Sequence, residues 1–399
     1  MISEEMMALG KKRSVIREIF EYGKIRASEI GRENVFDFSL GNPNVPPPDC
    51  VREAILDLLN TEDSVALHGY TSAQGDAKVR QTIADYINAT YGTQVGADNL
   101  YMTAGAAASL SICLKALAVP GDEFIAFTPF FPEYRVFTEA AGGKLVVVPS
   151  RDGDFQIDIP KFAEALTERT KGVIVNSPNN PSGVVLSEDN IRQLCDVMRE
   201  KEAQFGHPIY LITDEPYREL VYEGVSVPYL LNYYDNTFVC YSFSKSLSLP
   251  GERIGYILVS NKMEAERDVY AAVCGAGRAL GYVCAPSLFQ QVAARCVGQT
   301  SDISVYKKNR DLLYGQLTSF GFDCVQPAGA FYLFVKSMEP DANAFCERAK
   351  QYELLLVPGD DFGSPGYVRI SYCVSTEQIL RALPAFEKLA KEYKAPSRA

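Results

Sequence analysis

The sequence predicts an α/β fold, a large domain with a mainly parallel sheet flanked by helices, followed by a smaller α+β domain. Three observations carry this. From about residue 99 to residue 260, short apolar runs alternate with stretches of helical periodicity. Several of those runs are nearly continuous in Val, Ile, Leu and Phe, as strands buried on both faces should be. Beyond about residue 300 the wiring changes to a few strands and longer helices.

Element by element, strands are expected over Asn99–Thr103, Glu123–Phe127, Lys144–Pro149, Gly172–Asn176, Tyr210–Thr213, Thr237–Ser242 and Gly255–Ser260. Between the fourth and fifth, Ser187 is a natural N-cap, with Glu188 and Asp189 in the first turn of a helix running to about Gln204. The last part reads as a helix over Tyr306–Phe320, a strand over Ala330–Val335, a helix over Ala342–Gln351, a strand over Val368–Cys373 and a helix from Thr376. A chain of 399 residues exceeds the size at which one core stops growing. The expected division is an N-terminal segment over 1–47, a large domain over 48–289 and a small C-terminal domain over 290–399, with the Pro-rich loop Asn42–Pro48 at the first boundary.

Composition removes several function classes. A net charge of −11 disfavours nucleic acid or an anionic membrane as partner, since either wants a basic face. Met1 to Lys12 lacks the apolar core of a secretory signal, and no charge-free apolar stretch is long enough to span a bilayer. Ten cysteines are scattered without a C-x-x-C pair, which points to reduced thiols and a cytoplasmic setting. With only two histidines, His68 and His207, neither a histidine-based hydrolase nor a histidine metal site is expected.

Chemistry concentrates in a handful of segments. In Ser242-Phe-Ser-Lys245-Ser-Leu-Ser-Leu-Pro-Gly-Glu-Arg253-Ile-Gly255, a lysine closes a buried strand. Desolvation there disfavours the ammonium and lowers its pKa, which suits a nucleophilic amine. Arg253, eight residues on, offers a fork of donors for a phosphate. An isolated S-x-S-K fits an exposed turn lysine better, and only the whole segment is more specific. Thr213-Asp214-Glu-Pro-Tyr217 puts a carboxylate at the end of an apolar strand, where α/β folds place ligands, although an N-cap aspartate would look the same. Asn176-Ser-Pro-Asn-Asn180-Pro-Ser-Gly183 also follows an apolar strand and alone is an ordinary Asn/Pro/Gly turn. Thr103-Ala104-Gly105-Ala106-Ala107-Ala108 runs from a strand into a helix start whose free N–H groups can bind phosphate.

Together and in this order, these segments resemble those of the class I/II aminotransferases, pyridoxal-phosphate (PLP) enzymes of fold type I, and of the aspartate-aminotransferase-like kind. The resemblance covers roughly Asn34 to Lys391. It implies that Lys245 bonds the cofactor as a Schiff base and shuttles the substrate proton. Ser242, Arg253 and the turn Gly105, Ala106 and Ala107 are implied phosphate ligands. Asp214 would face the pyridine nitrogen, which must stay protonated for the ring to withdraw electrons. Tyr217 and Asn180 would hold the phenolic oxygen. In Thr128-Pro-Phe-Phe131-Pro-Glu-Tyr134, Phe131 would stack on the ring, unless it is simply a core residue.

The same resemblance assigns the substrate side. Tyr367-Val-Arg369-Ile-Ser-Tyr372 is similar to the family's R-[IL]-S strand, making Arg369 the α-carboxylate ligand, while Gly41 in Ser39-Leu-Gly41-Asn-Pro would lie over the substrate. Tyr70 in Tyr70-Thr-Ser-Ala-Gln-Gly75 would reach the neighbouring subunit's phosphate, which implies a homodimer. Arg278 lies in the stretch from which some relatives read a distal carboxylate across the subunit boundary, and it fits an ordinary interface arginine too. The expected reaction moves an amino group from an L-amino acid, aspartate-like favoured, to a 2-oxo acid such as 2-oxoglutarate. Aromatic or neutral amino acids, or a C–S β-lyase reaction on the same fold, would keep the same cofactor residues. A dinucleotide enzyme is disfavoured because Gly275-Ala-Gly277-Arg-Ala-Leu-Gly281 follows a helical pattern and has one residue too many for G-x-G-x-x-G.

Overall fold

The structure, a computed structural model, describes residues 2–11, 14–222 and 224–394, so both ends of the Met1–Lys12 stretch lie outside the described residues. Its strands are β1 Phe36–Asp37, β2 Leu100–Thr103, β3 Glu123–Phe127, β4 Lys144–Val148, β5 Thr170–Asn176, β6 Tyr210–Asp214, β7 Thr237–Ser242, β8 Gly255–Val259, β9 Tyr332–Lys336, β10 Leu354–Leu355, β11 Val357–Pro358 and β12 Tyr367–Ser371.

Strands β2 to β8 form one seven-stranded sheet in the order β2-β8-β7-β6-β5-β3-β4. Only β8 runs antiparallel to its neighbours β2 and β7. The others pair in parallel, as their two-sided burial requires. Side chains alternate between the faces of the sheet. Phe238 and Cys240 of β7 join a core with Leu110 and Val273 of helices Ala106–Leu117 and Glu266–Leu280. Val239 and Tyr241 point the other way, toward Ile83 and Val292. A further core behind β5 and β6 takes Leu194 and Met198 from the helix Glu188–Phe205. Ser187 caps that helix by accepting the Asn190 N–H, as its sequence position suggested.

A second, three-stranded sheet has β12 between β11 and β9, all antiparallel. Its core brings Phe331, Leu333 and Val368 against the helices Ser304–Ser319 and Thr376–Lys394. Strand β9 begins two residues later than the sequence pattern indicated. Ala330 takes a positive φ of 55°, which turns the chain and gives its N–H to the Leu220 carbonyl instead of a ladder. The short pair β1–β10 was not anticipated, being two residues long on each side. It ties the segment before Ser39 to β10, and Ser371 N–H ties the same segment to the small sheet by donating to the Phe38 carbonyl at 2.9 Å.

Candidate active site

The sheet register gathers the chemistry at one edge. Asn176 pairs with Asp214, Asp214 with Cys240, and Gly255 with both Thr103 and Ser242. The carboxyl ends of β2, β5, β6 and β7 therefore open on one crevice, where α/β sheets place ligands. Gly255 must be glycine there, because an added Cβ would run into the Tyr241 carbonyl on one side and lie 3.1 Å from Gly105 Cα on the other.

Asp214 closes β6 and is 5% exposed. Its Oδ2 accepts from the Tyr134 hydroxyl at 2.6 Å, but its Oδ1 is buried with no partner among the described residues. Burial pushes this carboxyl up to about 7, against the pull of the Tyr134 hydrogen bond. Asn176 Nδ2 donates to the Asp214 carbonyl at 2.8 Å, and its Oδ1 accepts from Asn180 N–H at 2.7 Å. One asparagine thus holds both the β6 terminus and the Asn180 loop.

Lys245 does not close a strand, as its sequence context suggested. Strand β7 ends at Ser242, and the lysine is third in a single helical turn, Phe243–Ser246, capped by Ser242 accepting the Ser244 N–H at 3.2 Å. Lys245 Nζ donates to the Gly41 carbonyl at 2.8 Å and lies 5.5 Å from the Phe331 ring centre. Desolvation lowers the amine to about 8. Beside it, Gly105 at φ 84° caps the helix Ala106–Leu117, leaving the Ala106 and Ala107 amides at the helix start. Arg253 crosses this turn, donating to the Pro250 carbonyl at 2.9 Å, the Ala104 carbonyl at 3.2 Å and Ser244 Oγ at 3.4 Å. Ser242 Oγ is 2.7 Å from Ser244 Oγ, so the two serines and Arg253 form one polar group with the helix start.

The opposite wall comes from the small sheet. Arg369 on β12 is 2% exposed, yet it makes no ion pair among the described residues. Its guanidinium donates to Asn180 Oδ1 at 3.0 Å and to the Ser39 carbonyl, while Nε is buried without a partner. Because a guanidinium only donates, this bond fixes the Asn180 amide with oxygen toward Arg369 and leaves its NH2 to donate elsewhere. Desolvation lowers the arginine's pKa, the mark of a buried cation short of an anion. Tyr332 lies under Arg369 at 4.7 Å, and its hydroxyl is 2.9 Å from that of Tyr217. A Cβ on Gly41 would fall on that same Tyr332 hydroxyl.

The remaining candidates are placed as follows. Phe131 is half-buried and edge-on to Tyr134 at 5.8 Å, one ring away from Asp214. Tyr70 is 99% exposed and touches nothing in its own chain's crevice. Arg278 is exposed in the last turn of the helix Glu266–Leu280. Sequence reasoning missed Tyr134, Asn176, Ser244 and Tyr332 as contributors. Tyr134, Asn176 and Ser244 stood inside motifs already singled out, and for Asn176 its place at the end of β5 was the available signal. Tyr332 carried no signal beyond an apolar run.

A mostly parallel sheet with a depressed amine, a half-satisfied buried carboxylate and an anion-seeking arginine around its strand ends defines a fold-type I transferase. The chain belongs to the class I and II aminotransferases, whose family model matches residues 33–386. Among solved structures, an amino transferase from Eubacterium rectale is 58% identical, with a TM-score of 0.96 over 98% of this chain and 99% of that one. An aspartate aminotransferase from Thermotoga maritima is 31% identical over 89% of this chain and 91% of the relative. An aromatic-amino-acid aminotransferase from Thermococcus litoralis is 28% identical over 96% of each chain.

Proposed function

We propose that the crevice binds pyridoxal 5′-phosphate and that the enzyme transfers an amino group from an aspartate-like L-amino acid to a 2-oxo acid such as 2-oxoglutarate. The carrying observation is the buried Asp214 Oδ1 without a donor, in the same crevice as a lysine whose amine is readily deprotonated. A protonated pyridine nitrogen is the donor that oxygen lacks. The residues present fit the rest of the group. Gly105, Ala106 and Ala107 amides with Ser242 and Arg253 would hold its phosphate. Tyr217 and the free Asn180 NH2 would hold its phenolic oxygen, and Phe131 would cover its ring.

Bound there, the cofactor supplies an aldehyde carbon for amines and a ring that withdraws electrons from the substrate Cα. The chain supplies binding and proton handling. Arg369 grips the α-carboxylate, filling its unused Nε with an acceptor, and the Gly41 backbone covers the substrate. Lys245 Nζ, above its pKa of about 8, is a free base able to take the Cα proton. Asp214 stays ionised once its cationic partner is present, because an opposite charge reverses the effect of burial.

The proposed active unit is a homodimer in the cytoplasm, with small-molecule substrates and neither nucleic acid nor membrane as partner. Full exposure of Tyr70 supports its reaching the partner's phosphate. We also propose that the chain divides into 1–47, 48–289 and 290–399. The aspartate preference rests on Arg278 acting across the subunit boundary, and on the name of the Thermotoga relative. The Thermococcus relative's name supports the second reading, aromatic substrates on the same site.

A panel of amino acids with 2-oxoglutarate, followed by oxo-acid formation, tests the reading. Aspartate should lead, and Arg278→Ala should weaken aspartate turnover by about 2 kcal/mol, roughly thirtyfold in kcat/KM, while sparing alanine and phenylalanine. A wild type that prefers aromatic or neutral amino acids removes the aspartate assignment. Release of ammonia and pyruvate from cysteine conjugates, without oxo-acid exchange, would mean a C–S β-lyase.

A further inference from the structure

A buried carboxyl group lies behind the lysine and has no part in the chemistry above. We infer that Glu219 is a positioning residue for Lys245, acting through Tyr241 and Ser246 so that its neutral form tightens the turn carrying the amine. The inference rests on the role given to Lys245. The Tyr241 hydroxyl is 2.9 Å from Glu219 Oε1 and 2.9 Å from Ser246 Oγ, in one unbroken line. Ser246 is 1% exposed and is joined by a peptide bond to Lys245.

A phenol has one proton, and that single proton gives the line a direction. An ionised Glu219 can only accept, so Tyr241 must donate to it. The geometry at Ser246 Oγ suits it as the acceptor from Tyr241, so with the phenol proton committed to the carboxylate that bond is lost. A neutral Glu219 can donate to Tyr241 instead, which frees the phenol proton for Ser246 and completes the line. This matters because Phe243–Ser246 is a single turn, with no helical length to hold it. Its ties include the Ser242 cap, the Phe243 N–H to Ile254 carbonyl bond at 3.1 Å, the Ser244–Arg253 contact, the Ser301 N–H to Ser246 carbonyl bond at 2.7 Å, the Lys245 bond to Gly41, and this line.

The surroundings leave Glu219 free to titrate. Its Oε2 is buried without a partner, and it makes no ion pair among the described residues. Arg218 is committed elsewhere, bonded to Glu215 and lying 4.8 Å from the Tyr229 ring centre and 5.3 Å from that of Tyr91. The charged and titratable groups facing Glu219 are therefore Arg218 and Glu215 from its own segment, Tyr241 from β7 and Tyr91 from the end of the helix Ala77–Tyr91. Burial pushes the Glu219 carboxyl up to about 7, opposed by the Tyr241 hydrogen bond and the Arg218 charge. The neutral, tightened state is the one present below that pH.

The test compares the wild type with Glu219→Gln, Tyr241→Phe and Ser246→Ala, each loaded with pyridoxal phosphate. The wild type's kcat should carry a several-fold step near pH 7 beside the amine's own titration, with the better-held turn on the acid side. All three variants should lack that step, with the folding midpoint little changed for Ser246→Ala. A second readout needs no turnover. In the cofactor-free protein, acetic anhydride labelling of Lys245, mapped by peptide mass across pH, should show the step near 7 in the wild type and only the amine's own titration in the variants. The inference is overturned if the wild type has no such step, if Glu219→Gln retains it, or if the variants lower rate and stability equally at every pH. A wild type that takes up no cofactor at Lys245 would instead refute the cofactor assignment, and the labelling experiment would still decide the role of Glu219.

Discussion

The two walls of the crevice are built by different means. On the phosphate side, Gly105, Ser242, Ser244 and Arg253 stand at the ends of strands locked in one ladder, with Thr103 and Ser242 both paired to Gly255. On the carboxylate side, Ser39, Asn180, Tyr332 and Arg369 come from four segments, and they meet only where the small sheet packs against the large one. The first wall offers backbone amides and partly exposed donors, which cost little to leave waiting. The second buries an arginine with one nitrogen unmatched, which is expensive until an anion arrives. Binding energy from the substrate carboxylate is thus stored at the second wall, and the first is ready beforehand.

Lys245→Ala addresses the junction of the walls and should have the largest effect. Turnover should fall by several orders of magnitude, because one residue supplies both the covalent link and proton transfer. Cofactor should still be retained by the phosphate wall, and release of cofactor on gel filtration would show that the ladder alone does not hold it.

Replacing the arginines should separate the walls. Arg369→Ala should cost about 3 kcal/mol, roughly a hundredfold in kcat/KM for every amino acid and oxo acid, with cofactor affinity unchanged. Arg253→Ala should do the converse, weakening cofactor retention and sparing the KM of the amino acid. Equal losses of both quantities in either variant would mean that the walls act as one unit.

The smallest effect should come from Gly41→Ala. The added methyl meets the Tyr332 hydroxyl, displacing the carbonyl that holds Lys245 Nζ. An approximately tenfold loss of kcat is expected, in the range for a misplaced catalytic group. Tyr332→Phe in the same chain should recover part of it by removing the struck oxygen. If the double variant is no better than Gly41→Ala, steric displacement is not the cause.

The phosphate wall was legible in the sequence because its parts are local. Ser242, Lys245 and Arg253 lie within one short segment, and Asp214 ends a recognisable apolar strand. Two of the contributors that were missed, Tyr134 and Tyr332, have distant partners. Tyr134 reaches Asp214 across 80 residues and Tyr217 reaches Tyr332 across 115. The single-turn setting of Lys245 was also missed, since four residues carry no periodicity to read.

By itself, the sequence determined the strands of the large sheet, their parallel wiring and the identity of the chemical groups at their ends. Apolar periodicity and strand-end residues are properties of neighbours along the chain, so they can be read without a structure. Tertiary structure alone decided which polar atoms are buried without partners among the described residues, Asp214 Oδ1, Glu219 Oε2 and Arg369 Nε among them. It also decided that Arg369, 330 residues from Ser39, would close the crevice against it. Burial and an unmet hydrogen bond depend on what the rest of the chain brings alongside, and no window of sequence contains that information.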